Sequence, residues 1–258
     1  MSSSSSSTGS TSSHPKRVNV LGQPIDCVTM DQTIELIREY LEGNATKLIL
    51  TADSNGVVSA EKDENYARIF REAALITPDS NGPVWALRKL GHEIPDRVSG
   101  VELVERLCAL SEELGFSIFF LGSAPGVAAL AAKNLKDKYP KMVLAGSRDG
   151  YFKKSQDIEI AHEVALTKPD VLLVAMGMPR QELFILDTAH AIKAKVGVGV
   201  GGSFDVHSGT VRRAPKLIQK IKLEWLWRVL LNPKKIAKVK NLPVFWWRIQ
   251  TRGRRPSQ

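Results

Sequence analysis

Short apolar runs alternate with segments of helical periodicity over residues 17–200, and that alternation leaves few folds open. Strands are expected at 18–21, 47–51, 74–77, 117–121, 142–145, 171–175 and 196–200. Helices are expected between them, at 30–41, 65–73, 83–90, 101–114, 127–139 and 157–167. In the first helix Ile34, Ile37 and Leu41 share a face, with Asp31 near the start. In 101–114 Leu103, Leu107 and Leu110 fall together, and Gly115 stops the helix. Strands and helices in this alternation build an α/β fold, a mostly parallel sheet covered by helices. A chain of 258 residues is long enough for one such domain with an appendage.

In sheets of this kind ligands bind beyond the carboxyl ends of the strands. Chemically suggestive residues stand at those ends here. Thr51 and Asp53 close one strand and Asp79 the next. Gly122-Ser123-Ala124-Pro125-Gly126 follows another, Gly177-Met178-Pro179-Arg180-Gln181-Glu182 follows the run to Ala175, and Gly201-Gly202-Ser203-Phe204-Asp205 follows the last. Their convergence locates a pocket.

Taken singly, these motifs stay open to two interpretations. The Gly122–Gly126 turn leads from a strand into a helix, whose first backbone N–H groups suit a phosphate or ribose; it also suits a plain tight turn. Asp79, in Thr-Pro-Asp-Ser-Asn-Gly, fits turn chemistry and equally a carboxylate that removes a proton from an attacking hydroxyl. Gln181 opens a helix after proline, and its amide suits a sugar or phosphate oxygen. Asp205 and Arg97 fit ligand contacts or surface ion pairs. Gly197, Gly199 and Gly202 match G-x-G-x-x-G by spacing, but the first two lie inside the strand and no amphipathic helix follows directly. A nicotinamide-dependent oxidoreductase is therefore disfavoured, whereas close approach of a ligand to these glycines stays open.

Bulk properties exclude other classes. Two cysteines, Cys27 and Cys108, do not make a disulfide framework and fit a reducing, cytoplasmic compartment. The five histidines show no metal-ligand spacing, and there is no Walker loop and no Asp-x-Asp. No run reaches the roughly 18 apolar residues of a membrane span. Residues 1–16, nearly all Ser, Thr and Gly at first, are expected to form a disordered leader. The charge is uneven. From Arg212 to Arg255 fourteen Lys and Arg face one acid, Glu224, a net +13, so the rest of the +9 chain carries −4. Trp225, Trp227, Trp246 and Trp247 lie in the same stretch, and Leu217, Ile221, Trp225 and Val229 recur there at helical spacing. Asn232-Pro233 should break that helix and Pro243 limit the next segment. A catalytic body over 17–211 is thus expected to carry a basic, Trp-rich appendage over 212–258. Nucleic acid would meet such a tail through backbone and bases. The clustered tryptophans favour a membrane surface instead.

Together these stretches resemble the WecG/TagA/CpsF glycosyltransferases. The resemblance is carried by Thr51-Ala52-Asp53-Ser54-Asn55, by Thr77-Pro78-Asp79 with Gly82 and Trp85, by Asp96-Arg97-Val98-Ser99-Gly100 and by Phe120-Leu121-Gly122. It continues through Gly150-Tyr151-Phe152, the 177–182 and 201–205 motifs, Arg213-Ala214-Pro215 and Glu224-Trp225-Leu226-Trp227-Arg228. It implies a Rossmann-like core and an inverting enzyme. The enzyme would move an N-acetylmannosamine-type sugar from a UDP donor to a polyprenyl-diphosphate-linked acceptor for cell-surface polysaccharide, on the inner membrane face. By carry-over Asp79 is the expected base, with Thr51 and Gln181 beside it. Asp53, Asn55, Arg97, Gly122, Ser123, Tyr151, Gly177, Asp205, Arg228 and Lys235 are the expected substrate contacts. No cofactor, metal or nucleic acid is implied; self-association is. The chain departs from the pattern at Asp53, at Ser80 after Asp79, and at Lys234, Lys235 and Lys238, where arginines are common. These departures bear on donor and acceptor identity.

Overall fold

The computed structural model describes residues 14–211, 215 and 241–252. Trp225, Trp227, Arg228 and Lys235, with most of the basic stretch and of the Ser-rich leader, lie outside the described residues.

Six strands form a parallel sheet: β3 (Lys47–Ala52), β4 (Leu75–Pro78), β5 (Ser117–Gly122), β6 (Val143–Arg148), β7 (Val171–Ala175) and β8 (Val196–Gly199), in the order β4-β3-β8-β7-β5-β6. The chain moves outward from β3 to β4, crosses to β5 and β6, then fills the middle with β7 and β8. The loops after β3, β8, β7 and β5 therefore stand side by side at one edge of the sheet.

Alternate strand residues enter different cores. Leu48, Leu50, Leu172 and Val174 face one cluster, and Ile49, Val171 and Leu173 the other. Burial on both faces explains why these strands read as continuous apolar runs. One face is covered by α1 (Met30–Glu42), α5 (Gly100–Leu114) and α6 (Val127–Lys138), whose buried residues join the second cluster. The other is covered by α2 (Ser54–Ser59), α3 (Glu64–Glu72), α4 (Asn81–Lys89), α7 (Asp157–Leu166) and α8 (Arg180–Ile192). Helix α1 starts where expected because Thr29 and Gln32 form a reciprocal capping box. Cys27 and Cys108 are free; burial pushes the Cys108 thiol up to about 12, so it behaves as core rather than as a nucleophile.

Three expectations change. The first strand does not join the main sheet. It is β1 (Arg17–Val20), paired antiparallel with β2 (Gln23–Asp26) in a separate hairpin. Buried Asp26 takes a bidentate ion pair from Arg17 and accepts from Ile76 N–H at 2.8 Å, which seats the hairpin along β4. A short helix, α9 (Ser203–His207), does follow Gly202. Pro243 does not end a segment but lies in the first turn of α10 (Leu242–Arg252), where its missing N–H costs nothing. Within the expected appendage, α10 packs on the body: Phe245 and Ile249 are both 2 % exposed and belong to the first core cluster.

At the opposite sheet edge Asp170 staples three strand starts. Its Oδ2 accepts from Ser117 N–H at 2.9 Å and Ser117 Oγ–H at 3.0 Å, and Lys195 Nζ stands 3.1 Å from Oδ1. Burial alone would raise this carboxyl, but the Ser117 hydrogen bonds and Lys195 outweigh it and hold it below the usual aspartate range. A depressed carboxyl stabilises the fold above its unfolded value, near pH 3.9, and that contribution is lost as pH falls through the lower folded value. Asp170→Asn should therefore cost about 1–2 kcal/mol at pH 7. The difference from wild type should shrink in melts taken below about pH 4.

Candidate active site

The side-by-side loops enclose a cavity of about 1010 Å³, lined from β3, β4, β5, β7 and β8 and from α10. That volume lies at the upper end of the range of about 300–1,000 Å³ for small-molecule sites.

The β3 end supplies Thr51, Asp53 and Asn55, all lining the cavity. Thr51 Oγ1 donates to Gly199 O at 2.7 Å, so towards the cavity this hydroxyl offers lone pairs rather than a proton. Asp53 is the N-cap of α2, accepting from Gly56 N–H at 2.7 Å. Asn55 Oδ1 accepts from Asn241 Nδ2 at 2.8 Å, a contact between residues 186 apart in sequence. Asp79 follows β4. Its Oδ1 accepts from Gly100 N–H at 2.6 Å, the first residue of α5, which fixes the carboxylate in one orientation against the cavity. Arg97 and the Ser54 and Ser80 residues also line it; the Ser54 and Ser80 hydroxyls are buried and find no hydrogen-bond partner among the described residues.

Across the cavity, Ser123 takes a positive φ of 58° in the turn between β5 and α6, with its N–H on Ala175 O at 2.7 Å. Tyr151 is 75 % exposed at the lining. Gly177, Gln181 and Asp205 complete the predicted set that reaches the cavity. Gly122 does not. At φ 129° it lies against β7, where an added Cβ would meet Ala175 O at 2.5 Å, so glycine is required there by strand packing. The room for a ligand that the sequence leaves open at Gly197 and Gly199 is also taken. A Cβ on Gly197 would meet Ile185 at 2.4 Å, and one on Gly199 would meet Glu182 at 2.3 Å and Gln181 at 2.5 Å. These glycines let α8 lie close on β8. Arg228 and Lys235 lie outside the described residues. Among the described residues no group of three or more His, Cys, Asp or Glu is arranged to hold a metal ion.

A sequence model of the Glycosyl transferase WecG/TagA/CpsF family matches residues 18–258. The chain belongs to that family. It is 31 % identical over 239 residues to an N-acetylglucosaminyldiphosphoundecaprenol N-acetyl-beta-D-mannosaminyltransferase of Staphylococcus aureus, covering 92 % of this chain and 93 % of the relative. It is 34 % identical over 206 residues to the enzyme of the same name from Bacillus spizizenii, covering 80 % and 79 %. This WecG/TagA/CpsF-family chain is thus a glycosyltransferase, with its α/β sheet and cavity in the arrangement such a fold uses to hold a ligand.

Sequence reasoning missed part of this transferase's cavity. Leu242, Phe245 and Trp246 of α10 line it, and Trp246 stacks on Trp85 of α4 with centroids 6.2 Å apart and planes 15° apart. The i, i+4 spacing of Phe245 and Ile249 was the available signal for a buried stripe. Arg180 also lines the cavity. It pairs with Asp157 and lies 5.3 Å from the Phe152 ring and 5.8 Å from that of Phe184, which ties the loop carrying Tyr151 to α8.

Proposed function

We propose that this transferase moves an N-acetylmannosamine-type sugar from UDP to a polyprenyl-diphosphate-linked sugar, with inversion at the anomeric carbon. The observation that carries it is the carboxylate of Asp79, held by Gly100 N–H against a cavity of about 1010 Å³ on which the strand ends converge. The names of two relatives supply the sugar and the lipid-linked acceptor. In this scheme the acceptor oxygen attacks the anomeric carbon while its proton passes to Asp79. The bond from that carbon to the β-phosphate oxygen breaks, and UDP departs with the electron pair. Attack from the opposite face inverts the centre. Thr51 and Gln181 hold sugar hydroxyls, and Asn55, Arg97 and Asp205 border the same space. The Ser123 turn at the start of α6 receives a ribose or phosphate, and Tyr151 offers an aromatic face. Arg228 and Lys235 balance the charge that grows on the leaving diphosphate.

No helix among the described residues is long and apolar enough to cross a membrane. The acceptor's isoprenoid chain nevertheless belongs in a bilayer. Trp246 and Trp247 are 56 % and 62 % exposed on α10, beside the cavity, and the basic stretch of 212–255 precedes and flanks them. We assign this end of the molecule to the anionic membrane surface, on the cytoplasmic side where UDP-sugars are made. The test is transfer from UDP-N-acetylmannosamine to a lipid-diphosphate-linked N-acetylglucosamine in anionic vesicles, with UDP-N-acetylglucosamine and GDP-mannose as competing donors. Selective turnover of the first donor, falling several-fold at high salt or in neutral vesicles, is the expected result. Equal use of all donors would remove the assigned sugar, and indifference to vesicle charge would remove the membrane assignment.

A further inference from the structure

We propose that Glu182 is a positioning residue of this site, acting through Gln181. The two are neighbours in sequence with different places in the structure: Gln181 lines the cavity and Glu182 does not. Glu182 is fully buried and Gln181 is 3 % exposed. Gln181 Oε1 accepts two backbone hydrogen bonds, from Gly177 N–H at 2.9 Å and from Gly201 N–H at 3.0 Å. Those two groups belong to the loops after β7 and β8, adjacent strands of the sheet. One side-chain oxygen thus ties together the two central loops of the cavity.

An amide has two faces that differ in sign, and something must choose between them. Glu182 does so, because its Oε1 accepts from Gln181 Nε2 at 2.6 Å. In the flipped amide the NH₂ group would point at two backbone N–H groups and the oxygen at a carboxyl oxygen, so both sides would lose their bonds. Gly199 completes the fit, as no Cβ could stand between β8 and this pair. The amide nitrogen carries two hydrogens, and Glu182 takes one. The other is the group left to Gln181 for a substrate in the cavity. Glu182 therefore sets both the donor that Gln181 presents and the spacing of the Gly177 and Gly201 loops. A misplacement of about 1 Å at such a point can cost about a hundredfold in turnover.

The inference rests on the transferase assignment of this cavity, and the tests separate the two. Glu182→Met removes both oxygens at similar volume, Glu182→Gln keeps an acceptor oxygen, and Glu182→Asp withdraws it by one methylene. Glu182→Met and Glu182→Asp should lower kcat by about tenfold to a hundredfold with KM for the nucleotide-sugar within about twofold. Glu182→Gln should restore most of the rate. On a Gln181→Ala background Glu182→Met should add little, since the two act as one unit. A wild-type kcat in Glu182→Asp, or a full multiplicative loss in the double variant, would overturn the proposal. Should Glu182→Met fail to fold, the Asp and Gln variants carry the same comparison. The side-chain ¹⁵N amide signals of Gln181 test the hydrogen bond without turnover: they should shift and lose exchange protection in Glu182→Asp. Unchanged signals would overturn the positioning role, whereas shifted signals in a protein that transfers no sugar would leave it standing and sink the proposed reaction.

Discussion

Asp79→Asn should lower kcat by about 10²–10⁴-fold while the protein melts within a few degrees of wild type. The substitution keeps an oxygen that accepts from Gly100 N–H, so the contact between the β4 end and α5 survives. What disappears is the ability to take a proton from the acceptor hydroxyl. UDP affinity, measured by titration calorimetry, should change little, because the leaving group does not depend on the base. A variant that transfers sugar at near-normal rate would remove Asp79 from that role. A variant that loses UDP binding along with turnover would mean the residue shapes the cavity instead.

Phe245→Ala is expected to undock α10 from a body that stays folded. Truncating a fully buried phenylalanine costs about 3–5 kcal/mol. Other contacts that hold α10 include Ile249 in the core, the Trp246–Trp85 stack, the Arg248–Glu61 ion pair and, just before the helix, the Asn241–Asn55 hydrogen bond. Apart from Ile249 they lie at the rim, so the loss of Phe245 falls mainly on the docking of the helix. Because Leu242, Phe245 and Trp246 form one wall of the cavity, transfer should fall at least about tenfold, whereas the main thermal transition should move little. Tryptophan emission should shift to the red as Trp246 leaves Trp85. Phe245→Leu, which fills most of the volume, should behave much nearer to wild type. Unchanged emission with full activity in Phe245→Ala would show that the helix docks without its phenylalanine.

Much of the architecture was legible because strands buried on both faces write themselves as apolar runs. Val171–Ala175 was placed at its exact bounds. Ends marked by caps, as at Thr29 and Gly115, were placed closely too. Short elements were not. Gln23–Asp26 contains a proline and two polar residues, and nothing local shows that it pairs with β1. Ser54–Ser59 reads as a turn until Asp53 is seen to cap it. Among cavity-lining residues, those at strand ends are legible from position alone, since a parallel sheet gathers them at one edge. Contributions that depend on distant partners were hidden. Nothing near Asn55 in sequence announces Asn241, and nothing near Gln181 announces Gly201 N–H. The glycines at 197 and 199 stay ambiguous in the sequence for the same reason: the atoms that occupy their empty space come from α8.

The hairpin along β4 has a bearing on how copies of this chain can associate. An uncovered sheet edge is a template for another strand. At β4 the hairpin occupies backbone groups through Asp26 on Ile76 N–H and Arg17 on Ala74 O, whereas among the described residues β6 has no strand on its outer side. Fibrous growth by strand addition requires two complementary edges on every subunit, so that each newcomer leaves a fresh end. With Ile76 N–H and Ala74 O already taken, the hairpin makes β4 a poorer template for an added strand than a bare edge would be.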